Sequence, residues 1–251
     1  MIMVLAGTKD GRILSERLCK KGLKVLATTV TEYGSRLFGP GIEFRTGPLN
    51  KDSLEQIIKE NNIELIVDAT HPYAKDISET AIAVSCKCNI EYLRYERESS
   101  KTQYPNIIHV KDIDEAVKVL EKYQRIFLTT GSKNLDKFAK LMHIGKYLIA
   151  RVLPKSEVLK KCEDLGLTPE NIIAAKGPFS MEINFQMFKE YRADVVVTKD
   201  SGAIGGVPEK ITAASKLNLP ILLIERPSVN YPNVVNDMDK VICEICNRFL
   251  L

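Results

Sequence analysis

Short apolar, β-branched runs alternate with windows of helical periodicity along the whole of this 251-residue chain. The runs fall at 2–6, 24–28, 63–67, 125–129, 147–150, 172–174, 194–198 and 220–224. The helical windows fall at 13–21, 53–60, 77–86, 113–122, 180–191 and 211–217. Runs such as Ile63-Glu64-Leu65-Ile66-Val67 read as buried strands, and the helical windows between them supply cover. The pattern predicts an α/β fold with mainly parallel sheets covered by helices on both faces. Right-handed crossovers then bring every strand-to-helix loop to one rim. Open sheets of this kind bind ligands on that rim, outside the carboxyl ends of the strands.

The chain is long enough for two lobes of ordinary domain size. The polar stretch Arg97-Glu98-Ser99-Ser100-Lys101-Thr102-Gln103-Tyr104-Pro105-Asn106 follows the strand-like Tyr92-Leu93-Arg94-Tyr95. It sets the expected boundary: a Rossmann-like lobe over 1–100 and a second α/β lobe over 101–251. A net charge of +4, dispersed along the chain, argues against a nucleic-acid partner and is compatible with a small anionic ligand. No apolar run approaches the roughly 20 residues of a membrane helix. The apolar start, Met1 to Ala6, is too short for a secretory signal, so no membrane partner and a cytoplasmic location are expected. Six scattered cysteines are read as free, buried thiols. Cys243-Glu244-Ile245-Cys246 has ligand-pair spacing but no second pair, and histidines number three, so no resident metal is expected.

Several expected rim loops carry polar chemistry. Asp68-Ala69-Thr70-His71-Pro72-Tyr73-Ala74 follows one strand and precedes a helix. A capped turn ending in proline explains the Asp or the Thr, but not a His and a Tyr on either side of the proline. Gly7-Thr8-Lys9-Asp10-Gly11-Arg12 opens the first helix. Gly7, Thr8, Gly11 and Arg12 are candidate phosphate contacts there, although two glycines fall short of a dinucleotide fingerprint. At the second strand end, Thr28, Thr29 and Arg36 lean toward a 2′-phosphate and hence NADPH, while Glu32 keeps NADH open. Thr130-Gly131-Ser132-Lys133, Gly177-Pro178-Phe179-Ser180 and Lys199-Asp200-Ser201-Gly202 with Gly205-Gly206 occupy equivalent places in the second half. The chain has no nucleophile elbow, zincin or Walker motif, which suits chemistry carried by a bound cofactor.

Taken in order, these segments resemble precorrin-6A reductases, including cobalt-precorrin-6A reductases, of corrin biosynthesis. The matching pieces run from Gly7-Thr8-Lys9-Asp10-Gly11-Arg12 through Thr31-Glu32-Tyr33-Gly34, Asp68 to Ala74, Tyr92-Leu93-Arg94-Tyr95-Glu96-Arg97, Thr129 to Asn134 and Gly177 to Ser180 to the 199–206 loop. The 68–74 segment is the most specific of them. The resemblance implies two Rossmann-like lobes with an active cleft between them. It also implies hydride transfer from NADPH or NADH to a tetrapyrrole, precorrin-6A or its cobalt form, giving the 6B product in cobalamin (vitamin B12) synthesis. Any cobalt belongs to the substrate. Lys9 and Asp10 depart from the small residue and Glu that relatives often carry, which blurs the cofactor preference.

On this resemblance the first lobe holds the nucleotide, with Asp68, Ala69 and Thr70 beside the 7–12 turn. The macrocycle's carboxylates call for basic and hydroxyl side chains: Arg94, Arg97, Thr130, Gly131, Ser132, Lys133, Lys199, Asp200, Ser201 and Gly202. Tyr73 and Tyr95 are candidates to stack on the ring. His71 is the candidate acid, with Tyr73 to orient it and Lys199 or Ser201 as substitutes. Transient contact with neighbouring pathway enzymes also follows from the resemblance. Two rivals stand beside it: a nicotinamide-dependent reductase of another small anion, and a non-catalytic dinucleotide-sensing module.

Overall fold

The structure, a computed structural model, describes residues 1–39, 41–98 and 104–250. Two compact units divide the chain, Met1–Glu98 with Ser228–Leu251, and Ser99–Pro227.

In the first unit the chain runs β1 (Ile2–Leu5), α1 (Lys9–Lys20), β2 (Val25–Thr29), α2 (Glu32–Ser35), β3 (Glu43–Thr46), α3 (Lys51–Glu60), β4 (Leu65–Asp68), α4 (Lys75–Lys87) and β5 (Glu91–Tyr95). In the second it runs β6 (Ile107–Val110), α5 (Ile113–Leu120), β7 (Arg125–Leu128), α6 (Leu135–Ala139), β8 (Tyr147–Val152), α7 (Ser156–Asp164), β9 (Ile172–Ala174), α8 (Met181–Glu190), β10 (Val195–Lys199), α9 (Val207–Lys216) and β11 (Ile221–Ile224). Finally β12 (Val234–Val235) and α10 (Met238–Phe249) return to the first unit.

The first sheet has the order β12-β5-β4-β1-β2-β3 and the second β6-β11-β10-β7-β8-β9. Every strand pairing described is parallel. Read from β3, the first sheet is the dinucleotide-fold order 3-2-1-4-5-6, with the sixth place filled by β12. The second has the same order counted from β7, with its sixth place filled by β6, which precedes it in the chain.

β1 explains why the runs are apolar throughout. Ile2 and Val4 pack with α1 and α10, whereas Met3 and Leu5 face α3 and α4. A strand with helices on both faces has no solvated side. In the second unit Phe127, Ile149 and Val196 meet Phe188 of α8 and Ile211 of α9 in one core.

The boundary near residue 98 falls within the expected linker, of which 99–103 lies outside the described residues. The expected second lobe, however, included 228–251. In the structure this segment completes the first unit, because β12 pairs with β5 and α10 packs against the core under β1 and β2. The thiols are free as expected, but of the six only Cys162 is buried; Cys86 and Cys243 are exposed.

Candidate active site

Each sheet reverses its strand order at one place, between β1 and β4 in the first unit and between β7 and β10 in the second. The carboxyl ends flanking such a reversal diverge into a crevice, the usual ligand site of this architecture. In the first unit the loops there are 6–8 and 69–74, and in the second 129–134 and 200–206.

Thr8 joins the two loops of the first unit. Its Oγ1 accepts from Gly11 N (3.1 Å), capping α1, and donates to Ala69 O (2.8 Å). Gly7 is exposed, and a side chain there would meet nothing within 4 Å, so its backbone is open to a ligand. Gly11 is different. A Cβ there would lie 2.6 Å from Ala6 Cα. Its absence lets α1 settle onto β1, a packing role that the expected phosphate contact did not include. Asp10 is buried in the first turn of α1 and pairs with Arg97 Nη1 at 2.6 Å, and its Oδ1 has no hydrogen-bond partner among the described residues.

Asp68 organises the second loop. Its Oδ1 accepts from Thr70 N (2.9 Å), Thr70 Oγ1 (2.6 Å) and Arg94 Nη1 (2.7 Å), and its Oδ2 from Ser78 Oγ (2.5 Å) and Tyr92 OH (2.6 Å). Burial opposes the carboxylate charge, but Arg94 and the hydroxyl donors outweigh it and hold the Asp68 pKa below its ordinary value. Tyr92 is pushed upward by burial and by Asp68. Arg94 also reaches Glu96 Oε2 (2.6 Å) and stacks on Tyr231 at 5.2 Å from the ring centroid.

These bonds correct two expectations. Arg94 and Asp68 are both fully buried, so neither presents its charge to a ligand; they pin the loop that carries His71 and Tyr73. His71 is exposed; its Nδ1 accepts from Tyr73 N at 3.2 Å, and the two rings stand 5.7 Å apart. A neutral ring in this arrangement carries its proton on Nε2. Thr28 and Thr29 are also buried, with hydroxyls donated to Val4 O (3.5 Å) and Thr31 O (3.1 Å), so neither hydroxyl is open for the expected 2′-phosphate contact. Arg36 is exposed on the turn after α2 and lies 3.8 Å from Glu32.

In the second unit, Thr129 Oγ1 donates to Val197 O across the crevice strands (2.8 Å), and Thr130 Oγ1 is buried without a hydrogen-bond partner. Gly131 has φ +73°, while Ser132 O accepts from Lys161 Nζ (2.8 Å). Lys199 ends β10; burial, and then Lys133, lower its pKa. Asp200 O accepts from Arg226 Nε (3.0 Å), and buried Ser201 packs where a Cβ on Gly205 would collide with its side chain. Residue-by-residue reading missed Ser78, Tyr92, Arg151, Asn184 and Lys210. The one visible signal was a charge inside an apolar strand, Leu148-Ile149-Ala150-Arg151-Val152.

Two parallel sheets of dinucleotide-fold order, each with polar loops at its switch point, define a protein built from two Rossmann-type units. A solved structure, CobK precorrin-6A reductase, shares this fold with a TM-score of 0.82; the match covers 99% of this chain and 97% of that one at 23% identity. The chain belongs to the family described as precorrin-6x reductase CbiJ/CobK, whose model matches residues 1–245. The cobalt-precorrin-6A reductase of Priestia megaterium is 39% identical over 252 residues, covering 99% of both chains. That of Methanocaldococcus jannaschii is 39% identical over 252 residues, covering 98% of both.

Proposed function

We propose that this chain reduces a ring double bond of precorrin-6A, in its cobalt form, to the 6B product of cobalamin synthesis, with NADPH or NADH as reductant. Family membership over residues 1–245 carries the reading. The cobalt form is favoured because both relatives at 39% identity are named for it. A bound nicotinamide nucleotide supplies the hydride.

The first unit suits the nucleotide. The open backbone at Gly7 and the amino end of α1 form an anion-compatible turn. Arg97 neutralises Asp10, which would otherwise repel a pyrophosphate. Arg36 is the remaining contact for a 2′-phosphate, and it favours NADPH. Lys133 and Lys199 of the second unit meet substrate carboxylates, with Thr130, Gly131, Ser132, Asp200, Ser201 and Gly202 shaping the same loops. Addition of hydride leaves a macrocycle that must also gain a proton, and His71 supplies it as the imidazolium, after taking a proton from solvent and exchanging the Nδ1 bond from Tyr73 N. Asp68 and Arg94 act through the loop they pin. Lys199 and Ser201 are the alternative proton sources.

The test is anaerobic incubation of purified protein with precorrin-6A or cobalt-precorrin-6A and each nucleotide, following the nicotinamide absorbance band. Consumption of nucleotide in step with the cobalt substrate supports the reading. No consumption with either tetrapyrrole sinks it.

A further inference from the structure

The second unit buries two positive charges that, among the described residues, have no direct ion-pair partner. Arg151 on β8 is 7% exposed and Lys210 on α9 is 8% exposed. Side chains this buried are almost always paired. Yet among the described residues no carboxylate stands within ion-pair distance of either. Arg151 Nη1 donates to Asn184 Oδ1 at 2.8 Å, and the guanidinium stacks 4.5 Å from the Phe179 ring centroid. Lys210 Nζ donates to Thr198 Oγ1 (3.3 Å) and Gly205 O (3.0 Å). All of these acceptors are neutral.

Burial, and then Arg151, bring the Lys210 pKa down to about 8, with Glu209 opposing less strongly. Burial brings that of Arg151 down to about 10. The Glu209 Oε2 is itself buried without a hydrogen bond. The 177–180 loop is fastened beside this pair. Asn184 Nδ2 donates to the carbonyls of Phe179 (3.1 Å) and Ser180 (2.8 Å), and Pro178 lies 3.2 Å from where a Cβ on Gly206 would sit. Thr198 places Lys210 next to the carboxyl end of β10, one strand of the crevice. The Gly177-Pro178-Phe179-Ser180 motif thus frames a cationic position instead of standing as an isolated turn.

We propose that Arg151 and Lys210 form an oxyanion subsite, which takes a carboxylate or phosphate group of a bound ligand. Such a group accepts charge-assisted hydrogen bonds from both cations and offsets the positive charge that Glu209 alone leaves. The subsite deepens the proposed function without depending on it, since its test reads binding, not turnover.

Thermal stability of the full chain is measured against sodium tricarballylate and against sodium pyrophosphate, with sodium chloride at matched ionic strength as the reference. Wild type is expected to show saturable stabilisation by at least one probe. Arg151→Met and Lys210→Met should each weaken that probe about tenfold or more. A response to tricarballylate assigns the carboxylate, one to pyrophosphate the phosphate, and a response to both a subsite open to either. Should a variant fail to fold, lysine side-chain NMR of wild type decides: probe binding must raise the Lys210 titration midpoint. No stabilisation beyond chloride, wild-type affinity in both variants, or an unmoved midpoint overturns the proposal.

Discussion

Replacing Arg94 by methionine tests what holds the 68–74 loop. The change removes the guanidinium that lies 2.7 Å from Asp68 and 2.6 Å from Glu96, both inside the first unit. Glu96 retains some exposure and can take up water, but Asp68 has none. Its carboxylate is left with donors from Thr70, Ser78 and Tyr92 alone. Stranding one member of a buried ion pair costs about 3–5 kcal/mol. For a unit of this size that is a fall in melting temperature on the order of 10–20 °C, or in urea midpoint of about 2 M. Acid should narrow the deficit. The depressed Asp68 pKa contributes stability to wild type at neutral pH, and this is lost as pH falls through the folded-state value. Without Arg94, burial raises that pKa, so protonation relieves the variant as pH falls from about 7 toward about 4. The assay is urea unfolding followed by circular dichroism, with hydrogen exchange of the 69–74 amides as a local readout. Adding Asp68→Asn should recover about 1 kcal/mol or more, through the coupling of two residues in one network. A loss below about 1 kcal/mol in Arg94→Met, or a double variant no more stable than the single, refutes the reasoning.

Four further outcomes follow. Gly11→Ala forces a Cβ against Ala6 Cα at 2.6 Å, so the denaturant midpoint should fall by the equivalent of about 1–3 kcal/mol; unchanged stability would remove the packing role. His71→Asn, checked for folding and nucleotide binding, should lower turnover about 100-fold or more and abolish any pH dependence near the histidine range; near-normal turnover would move the proton donor to Lys199, Ser201 or water. Arg36→Ala should raise the Michaelis constant for NADPH more than that for NADH, and an equal effect on both removes Arg36 from the 2′-phosphate. Because the Lys210 pKa is depressed to about 8 from 10.5, the unfolded chain binds more protons between those values, and stability rises with pH there. Lys210→Met should lack that rise in calorimetric scans; a parallel rise in both proteins would show that Lys210 does not titrate in this window.

The parallel sheets were legible because β1, β4, β7, β8, β10 and β11 are apolar enough to be buried on both faces. The edges were not. β3 reads Glu43-Phe44-Arg45-Thr46 and is exposed along its length, and β12 is two residues long. Neither carries a period that separates it from loop. The helix α1 begins four residues before the first apolar position of its predicted window, since Thr8 sets its start and hydrophobic periodicity does not. The return of 228–251 to the first unit is a tertiary fact with no local signature. At the site, the loops were visible as clusters of polar residues at strand ends, but burial was not. Arg94 looked like a carboxylate contact and is a buried partner of Asp68. Arg151, hidden in an apolar run, has no acid within ion-pair distance among the described residues. Sequence gives residue types on the rim; which of them face inward depends on neighbours contributed by other elements.

The most direct test of the proposed chemistry follows one atom. The protein is incubated anaerobically with cobalt-precorrin-6A and NADPH carrying deuterium on either face of nicotinamide C4, and the tetrapyrrole product is weighed by mass spectrometry. Hydride transfer predicts a product one mass unit heavier from one labelled nucleotide and unlabelled from the other. A reduced product that carries label from neither, or a tetrapyrrole returned unreduced while the protein binds nucleotide, would contradict the account.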